Sequence, residues 1–327
     1  MTTRRFAELD GLRGTAALVV VVAHYFGEVP NGIRALTIGW YGVSFFFVLS
    51  GFLMGSIILK HHTEPGFLTS FYVRRAARII PIYFVVVCTT LFFVSLTQGN
   101  TWTDHPFDAE IYLLFVTNMA MSLWGGGGEW LKPTWTLAVE EQFYIVLPLL
   151  IMLSPKRILI VMLLGLCAVA IVFRYALWEV NPIATLTLLP GRMDLLLAGV
   201  IAAYVRQRFD LSRHLQTLRV IPLIAMVAML VVALTSPDGL SPVLNPTLLS
   251  VAFACFLLAI LLGAPEGVRY RSHVLGYFGQ ISYALYLVHQ PMSGLLHGLL
   301  LNSRPDVGSI PQLAVTCLLY TSDAADE

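Results

Sequence analysis

Charge is the scarcest commodity in this 327-residue sequence: Asp, Glu, Lys and Arg together make up 12% of it, against about a quarter in ordinary soluble proteins. That scarcity excludes a soluble globule. Twenty Lys and Arg stand against nineteen Asp and Glu, a net charge of +1, so no broad basic surface exists to bind a polyanion, and nucleic acid is excluded as a partner. Cysteine is almost as sparse. Cys88, Cys167, Cys255 and Cys317 stand singly in apolar sequence, without the CxxC pairs of a zinc site or the density of a disulfide framework. They read as small core residues, and no metal is expected. A glycine-rich P-loop and a recognisable internal repeat are also missing, which removes a nucleotide-hydrolysing engine and the commonest transporter signature.

Apolar residues supply 57% of the chain. They come in runs of roughly fifteen to twenty-five residues, the length of a helix crossing a ~30 Å hydrocarbon core. The fold class expected is therefore all-α, a polytopic membrane helix bundle of about ten transmembrane helices. Candidate spans fall at roughly 12–28, 39–59, 79–97, 134–153, 157–178, 186–205, 219–235, 247–263 and 275–300, with a remnant from 309. The apolar stretch from Ile111 to Leu123 is short and runs into Gly125–Gly128, so a re-entrant segment near 111–130 fits better than a crossing. His24, Tyr25 and Phe26 follow the first apolar run where a small-x-small cleavage site would stand, so that run reads as a retained span. With the N-terminus inside, only Arg34, Lys132, Arg174, Arg192 and Arg304 of the twenty basic residues fall outside or in the outer parts of spans, the asymmetry that positive-inside topology requires.

An ionisable residue within a span costs at least about 2.5 kcal/mol and is a functional candidate by default. Arg13 and His24 are eleven residues apart, which on an α-helix is ~16 Å of rise with only ~20° of drift. They would share one face, with Arg13 at the inner boundary and His24 in the outer half. Glu140 and Glu141 sit in the outer half of the fourth span, where a buried carboxylate needs a partner, and His24 at matching depth is a candidate. Arg192 and Asp194 near the outer end of the sixth span, and His289 in the ninth, belong to the same half. Two readings stay open for each: the Arg192–Asp194 pair locks helices or serves a site, and His289 satisfies carbonyls freed by Pro291 or takes part in chemistry.

The inner side differs. Arg74, Arg75 and Arg78 open the third span, Arg74 and Arg78 at i and i+4. Planar guanidinium forks there suit phosphate, although arginines at an inner helix end also satisfy topology and anionic headgroups. His61 and His62 read as solvated loop residues. Trp124 and Trp130 flank the glycine run and either stack on sugar or anchor at the interface.

Six segments, LDGLRGTAALVVVVAH (Leu9–His24), GVSFFFVLSGFLM (Gly42–Met54), FYVRRAARIIPIY (Phe71–Tyr83), PTWTLAVEEQFY (Pro133–Tyr144), GRMDLLLAG (Gly191–Gly199) and ISYALYLVHQP (Ile281–Pro291), resemble in order the acyltransferase 3 family of bacterial integral-membrane O-acyltransferases. The resemblance implies an enzyme of the bacterial cytoplasmic membrane, N-terminus cytoplasmic, that moves an acyl group, usually acetyl, to a hydroxyl of an extracytoplasmic glycan, a lipid-linked saccharide or another acceptor. The donor would be a cytoplasmic coenzyme A thioester, so acyl-CoA is a co-substrate and no cofactor is permanently bound. Arg13 and His24 match the family's Arg-x10-His pair, Glu140 the glutamate of its W-[ST]-L-x-V-E motif, and Arg74 and Arg78 its arginine group, while Glu141 stands at a variable position. Asp10 and Trp135 lie within matched segments and join Arg192, Asp194 and His289 as further candidates. Arg74, Arg75 and Arg78 with Arg13 would hold the nucleotide while the thioester threads to His24, whose reference pKa of about 6.5 suits proton exchange with hydroxyl and thiolate. Glu140 would orient the imidazole, and an acyl-histidine intermediate is equally compatible. The competing reading is a glycolipid transporter or flippase, which would release no coenzyme A. The last eleven residues, CLLYTSDAADE, read as the translation of a sequencing adapter, so a membrane acyltransferase domain is expected over 1–316 and no native structure over 317–327.

Overall fold

The computed structural model describes residues 7–155, 157–235, 240–263 and 273–322. Among these it is helical throughout with no strand. The helices run α1 (Ala7–Val22), α2 (Trp40–His61), α3 (Phe67–Leu96), α4 (Ala109–Leu113), α5 (Thr117–Trp124), α6 (Thr134–Leu153), α7 (Leu159–Leu177), α8 (Pro182–Thr187), α9 (Leu189–Arg208), α10 (Leu215–Thr235), α11 (Leu240–Gly263), α12 (His273–Leu301) and α13 (Ile310–Ser322). Eight segments are long and apolar enough to cross a bilayer, carried by α1, α2, α3, α6, α7, α8–α9, α10 and α11. Counted over the described residues alone, they correspond to the first eight expected spans. The ninth, α12, is 29 residues long but is diluted by His289, Gln290 and His297 and falls outside the apolar set. The remnant, α13, has 13 residues, too few to cross. Arg4, Arg5, Lys156, Arg269 and Arg271 of the topology argument, and Ser236–Gly239 of an outer loop, lie outside the described residues. So do the last five of the eleven C-terminal residues, the first six continuing α13.

The re-entrant expectation becomes two short helices, α4 and α5, of five and eight residues. They end in four consecutive glycines, Gly125–Gly128, all with positive φ, a path that side chains with a Cβ resist.

At the centre α2 packs on α9, where Val48, Leu49, Phe52 and Ile58 meet Leu195, Leu196 and Val200, all essentially buried. The backbones approach so closely that a Cβ on Gly51 would strike the Leu196 carbonyl and one on Gly199 the Val48 carbonyl, the small-residue contact that replaces hydrophobic driving force between helices in lipid. Around this centre, α10 leaves Leu223, Ile224, Met226, Val227, Leu230 and Val231 exposed and α7 leaves Val161, Leu164, Val169 and Val172 exposed. Apolar faces of that extent are lipid-facing. Cys88 and Cys317 are exposed on such surfaces and not core residues as expected.

One buried ion pair ties the bundle. Arg174 on α7 is fully buried and donates from all five guanidinium N–H groups: to the Val243 and Gly191 carbonyls at 2.9 and 2.6 Å, to both oxygens of Asp194 at 3.1 and 2.7 Å, and to Thr247 Oγ1 at 2.6 Å. Thr247 in turn donates to Asp194 at 2.6 Å, and the backbone N–H of Leu195 donates to the other oxygen at 3.0 Å. A paired, fully hydrogen-bonded charge is the form a buried carboxylate can take. Asp194 is therefore the partner of Arg174 on α7 and does not pair with Arg192, and its role is to clamp α7, α9 and α11 together.

Candidate active site

Three cavities have Arg13 in their walls, and each successive pair shares further side chains. The first, of about 500 Å³, lies at one end and is walled by Asp10, Arg13, Lys60, His61, Arg78, Arg206 and Gln280 among others. Beyond it Arg13, Arg75, Arg78, Glu140, Tyr144 and Tyr283 surround a space of about 60 Å³. A third, of about 70 Å³, is bounded by Arg13, Ser50, Thr136, Glu140, Tyr283 and Tyr286. The inner two are constrictions, and side chains such as Phe46 and Tyr283, which border both, control their width.

At the wide end the helical period selects among the arginines. These residues lie in the third and fourth turns of α3, and Arg75 and Arg78, at i and i+3, face the cavities. Arg74, rotated by about 100° from its neighbour, is exposed and borders neither cavity. The expected Arg74–Arg78 face is thus corrected to Arg75–Arg78, for the reason that α3 presents that side to α1 and α6. The Arg75 guanidinium carbon lies 4.1 Å from the Tyr144 ring centre, a cation–π distance. Its contact with Glu141 is loose, 3.7 Å, and both Arg75 Nε and Glu141 Oε1 are buried without a hydrogen-bond partner.

In the middle Glu140 accepts from Ser50 Oγ at 2.8 Å and from Tyr144 Oη at 3.0 Å, one turn further along α6. This corrects the expected pairing of Glu140 with His24: the carboxylate lies beside Arg13 and shares two cavities with it, short of the histidines.

His24 is found instead against His289, Nδ1 to Nε2 at 3.0 Å, with ring centres 4.9 Å apart. Both rings are buried, and His289 Nδ1 has no hydrogen-bond partner. The local backbone explains how His24 reaches this place. α1 ends at Val22 and the chain passes into a π turn over Ala23–Gly27, an overwide turn common at functional sites that shifts His24 from the ideal register with Arg13. Tyr25 of the same turn donates to the His289 carbonyl at 2.8 Å, holding α12 beside it. The Tyr286 ring lies 5.7 Å from that of His289, and its hydroxyl accepts from Thr136 at 3.1 Å on the wall of the third cavity. Tyr286 thus stands between the third cavity and the histidine pair, and neither histidine borders any of these three cavities.

On its other side His24 Nε2 lies 3.7 Å from the Glu28 carboxylate, and Trp40 stands edge-on at 5.8 Å. Burial holds the Glu28 carboxyl above the ordinary carboxylate range, opposed by a hydrogen bond from Trp40 and by Lys132. Trp135, almost buried, packs edge-on against Phe47 and borders a lateral cavity with Arg192. Arg192 donates through Nε to the Leu186 carbonyl at 2.8 Å. Trp130 is buried and stacked on Trp102, ring centres 6.3 Å apart, so of the two tryptophans flanking the glycine run only Trp124 remains exposed. His61 pairs with Glu64 at 2.7 Å while its side chain borders the wide cavity.

Arg13, Glu140, Arg75, Arg78 and Asp10 are thus brought together around cavities that share Arg13, His24 and His289 form a pair beyond Tyr286, and Arg74 and Asp194 stand apart. Residues missed from sequence are Glu28, Ser50, Thr136, Tyr144, Tyr283 and Tyr286. Two signals pointed to some of them: Tyr283, Tyr286 and His289 repeat at i, i+3, i+6, and Glu140 with Tyr144 at i, i+4, each a helix-face spacing.

Among known proteins, the chain is 26% identical over 309 residues to the O-acetyltransferase OatA of Staphylococcus aureus (strain NCTC 8325), covering 87% of this chain and 50% of that one. It is 34% identical over 176 residues, 49% of this chain and 27% of the other, to the Bacillus subtilis (strain 168) protein named "Putative peptidoglycan O-acetyltransferase YrhL". The chain spans half the length, or less, of these curated relatives. No solved structure matches it. The family model Acyl_transf_3, an acyltransferase domain, matches residues 6–321, nearly the whole sequence and every helix that builds the cavities, and the chain belongs to that family.

Proposed function

We propose that this chain is the membrane unit of an O-acyltransferase, taking an acyl group, acetyl by likeness to the relatives, from coenzyme A at the basic cavity and delivering it to a glycan hydroxyl at the opposite end. The observation that carries the reading is that the basic cavity and two narrower ones share Arg13 in their walls, and the last of them is bordered by Tyr286, whose ring lies 5.7 Å from that of His289. Coenzyme A is an anionic nucleotide with a slender thioester-bearing arm. A cavity of about 500 Å³ walled by Arg13, Lys60, Arg78 and Arg206 fits its phosphates, and two narrow spaces beyond it suit an arm once Phe46 and Tyr283 yield. With that end cytoplasmic, the protein sits in the bacterial cytoplasmic membrane with its N-terminus inside, and transfer crosses the bilayer.

His24 acts as the general base. It removes the proton of the acceptor hydroxyl as that oxygen attacks the thioester carbonyl, the carbon–sulfur bond breaks, and the imidazolium returns the proton to the departing thiolate. His289 shares a proton with His24 and holds the ring, and Glu28 stands ready to stabilise its charged form. Glu140, bonded to Ser50 and Tyr144, balances the charge of Arg13 where the arm passes. The acceptor class follows the relatives, one of which is named for peptidoglycan.

The test uses the purified full chain in proteoliposomes given acetyl-CoA and a peptidoglycan glycan on opposite faces. Release of free thiol with acetyl ester on the glycan is expected, and His24→Ala at equal abundance should abolish both. A flippase would release no thiol, and activity that survives His24→Ala would remove that residue from the chemistry.

A further inference from the structure

The donor cavities leave unexplained a second, lateral opening between α2, α6, α9 and α11, of about 220 Å³. Its walls carry Trp40, Trp135, Ser44, Ser241, Asn245 and Arg192, and among the described residues no carboxylate borders it. Arg192 is half-buried and spends only Nε on a backbone carbonyl. The nearest acid, Asp194, is fully engaged by Arg174, Thr247 and the Leu195 N–H, so that cluster has no charge left to offer. The two terminal nitrogens of Arg192 hold no hydrogen-bond or ion-pair partner among the described residues. A cation partly withdrawn from water with no counter-charge attracts an anion, and a guanidinium fork fits carboxylate or phosphate oxygens. A second observation lies on the facing wall: Asn245 donates to Ser241 at 2.8 Å, but its own side-chain oxygen is buried and accepts nothing. Such an acceptor atom calls for a hydroxyl or amide donor.

Aromatic faces beside hydrogen-bonding groups suit a sugar ring, and one of them fixes the location. Trp40 borders this opening and also stands 5.8 Å from His24, so a single indole separates the opening from the imidazole. Val43 and Phe47 separate the opening from the third donor cavity and line both.

We propose that this lateral bay is the acceptor subsite and that it selects saccharides bearing a carboxylate or phosphate, the anion on Arg192 and a ring on Trp40. The delivery of the hydroxyl to His24 rests on the acyl-transfer reading above; the anion selectivity of the bay does not. Apolar Met229, Leu249 and Pro246 complete the walls.

The experiment measures binding of a uronic acid-containing oligosaccharide and of its carboxyl-reduced neutral counterpart to the full chain in phosphatidylcholine nanodiscs. Wild type is expected to bind the acidic form about tenfold more tightly, the usual scale for a hydrogen-bonded charge, and Arg192→Gln is expected to erase that preference. Asn245→Asp places a negative charge on the opposite wall without changing side-chain size, and should weaken the acidic form while sparing the neutral one. Equal affinity for the two sugars, binding of neither, or a preference that survives both substitutions overturns the proposal. So does displacement of the acidic sugar by equimolar phosphatidylglycerol, which would make the bay a lipid site. Thiol release from acetyl-CoA is followed on the same preparation: its absence beside an intact acid preference would remove the acyl-transfer reading and leave the bay's selectivity standing.

Discussion

Two clusters of buried charge sit in this bundle, and they are built in opposite ways. Around Arg174 every guanidinium N–H has an acceptor and both Asp194 oxygens are occupied at 2.6–3.1 Å. Around Arg75 the nearest carboxylate contact is 3.7 Å, two buried polar atoms have no partner, and the groups face cavities. Closed hydrogen bonding leaves no capacity for a ligand and marks a clamp. Open hydrogen bonding costs about 1–3 kcal/mol per orphaned group, a cost a protein carries where a ligand is to complete the set. The sequence shows arginines and acids within apolar spans in both places, and only their satisfaction tells them apart.

The comparison breaks first, and hardest, at the clamp. Removing one partner of a buried pair costs about 3–5 kcal/mol because the other charge is stranded, so Asp194→Ala should sharply reduce the amount of folded protein in the membrane, read by detergent-resistant monodisperse yield. Arg174→Met combined with Asp194→Leu should recover much of that yield, since no lone charge remains. Recovery of thiol release along with abundance would establish the clamp as structural alone.

On the open side the expected signature is reversed: abundance holds and turnover falls. His24→Ala should cost about 10²–10⁴-fold in acyl transfer, the range for a lost general base. His289→Leu should lower kcat by about tenfold or more through the lost hydrogen bond to His24, with KM for the donor unchanged. A purely structural His289 would instead lower yield and spare kcat. Arg78→Ala should raise the donor KM by about tenfold with kcat spared, the loss expected for one charged hydrogen bond to phosphate.

These distinctions also measure what could be read beforehand. Run lengths of apolar residues locate the crossing helices because bilayer thickness imposes their length, and they recover α1, α2, α6 and α11 closely. They locate α12 as well, His273–Leu301 against the expected 275–300, although histidines and glutamine keep that helix out of the apolar set. Position along a span made His24 and His289 legible as one level, whereas Glu140, expected with them, lies beside Arg13. Azimuth does not follow from depth: the packing of α6 turns Glu140 to Ser50 and Tyr144, and α12 brings His289 to His24. The partner of Asp194 was also hidden, since Arg174 lies on another helix and no local spacing connects the two.

The smallest expected effect is the sharpest test of that azimuthal point. Spacing alone grouped Arg74 with Arg78 at i, i+4, and a phosphate site built on those two would lose donor affinity as much from Arg74→Ala as from Arg78→Ala. In the folded chain Arg74 is exposed while Arg75 and Arg78 border the cavity, and an exposed charge contributes about 0–1 kcal/mol through screened contacts. Arg74→Ala should therefore change the donor KM by less than about threefold, weakening further as salt rises past 0.15 M, where the screening length is about 8 Å. Arg75→Ala should exceed it, because that guanidinium also stacks on Tyr144 and so holds in place the hydroxyl that donates to Glu140. If Arg74→Ala and Arg75→Ala exchanged places in a titration of donor concentration against rate, α3 would have to be rotated by one residue, and the distinction between open and closed charge would lose its open member.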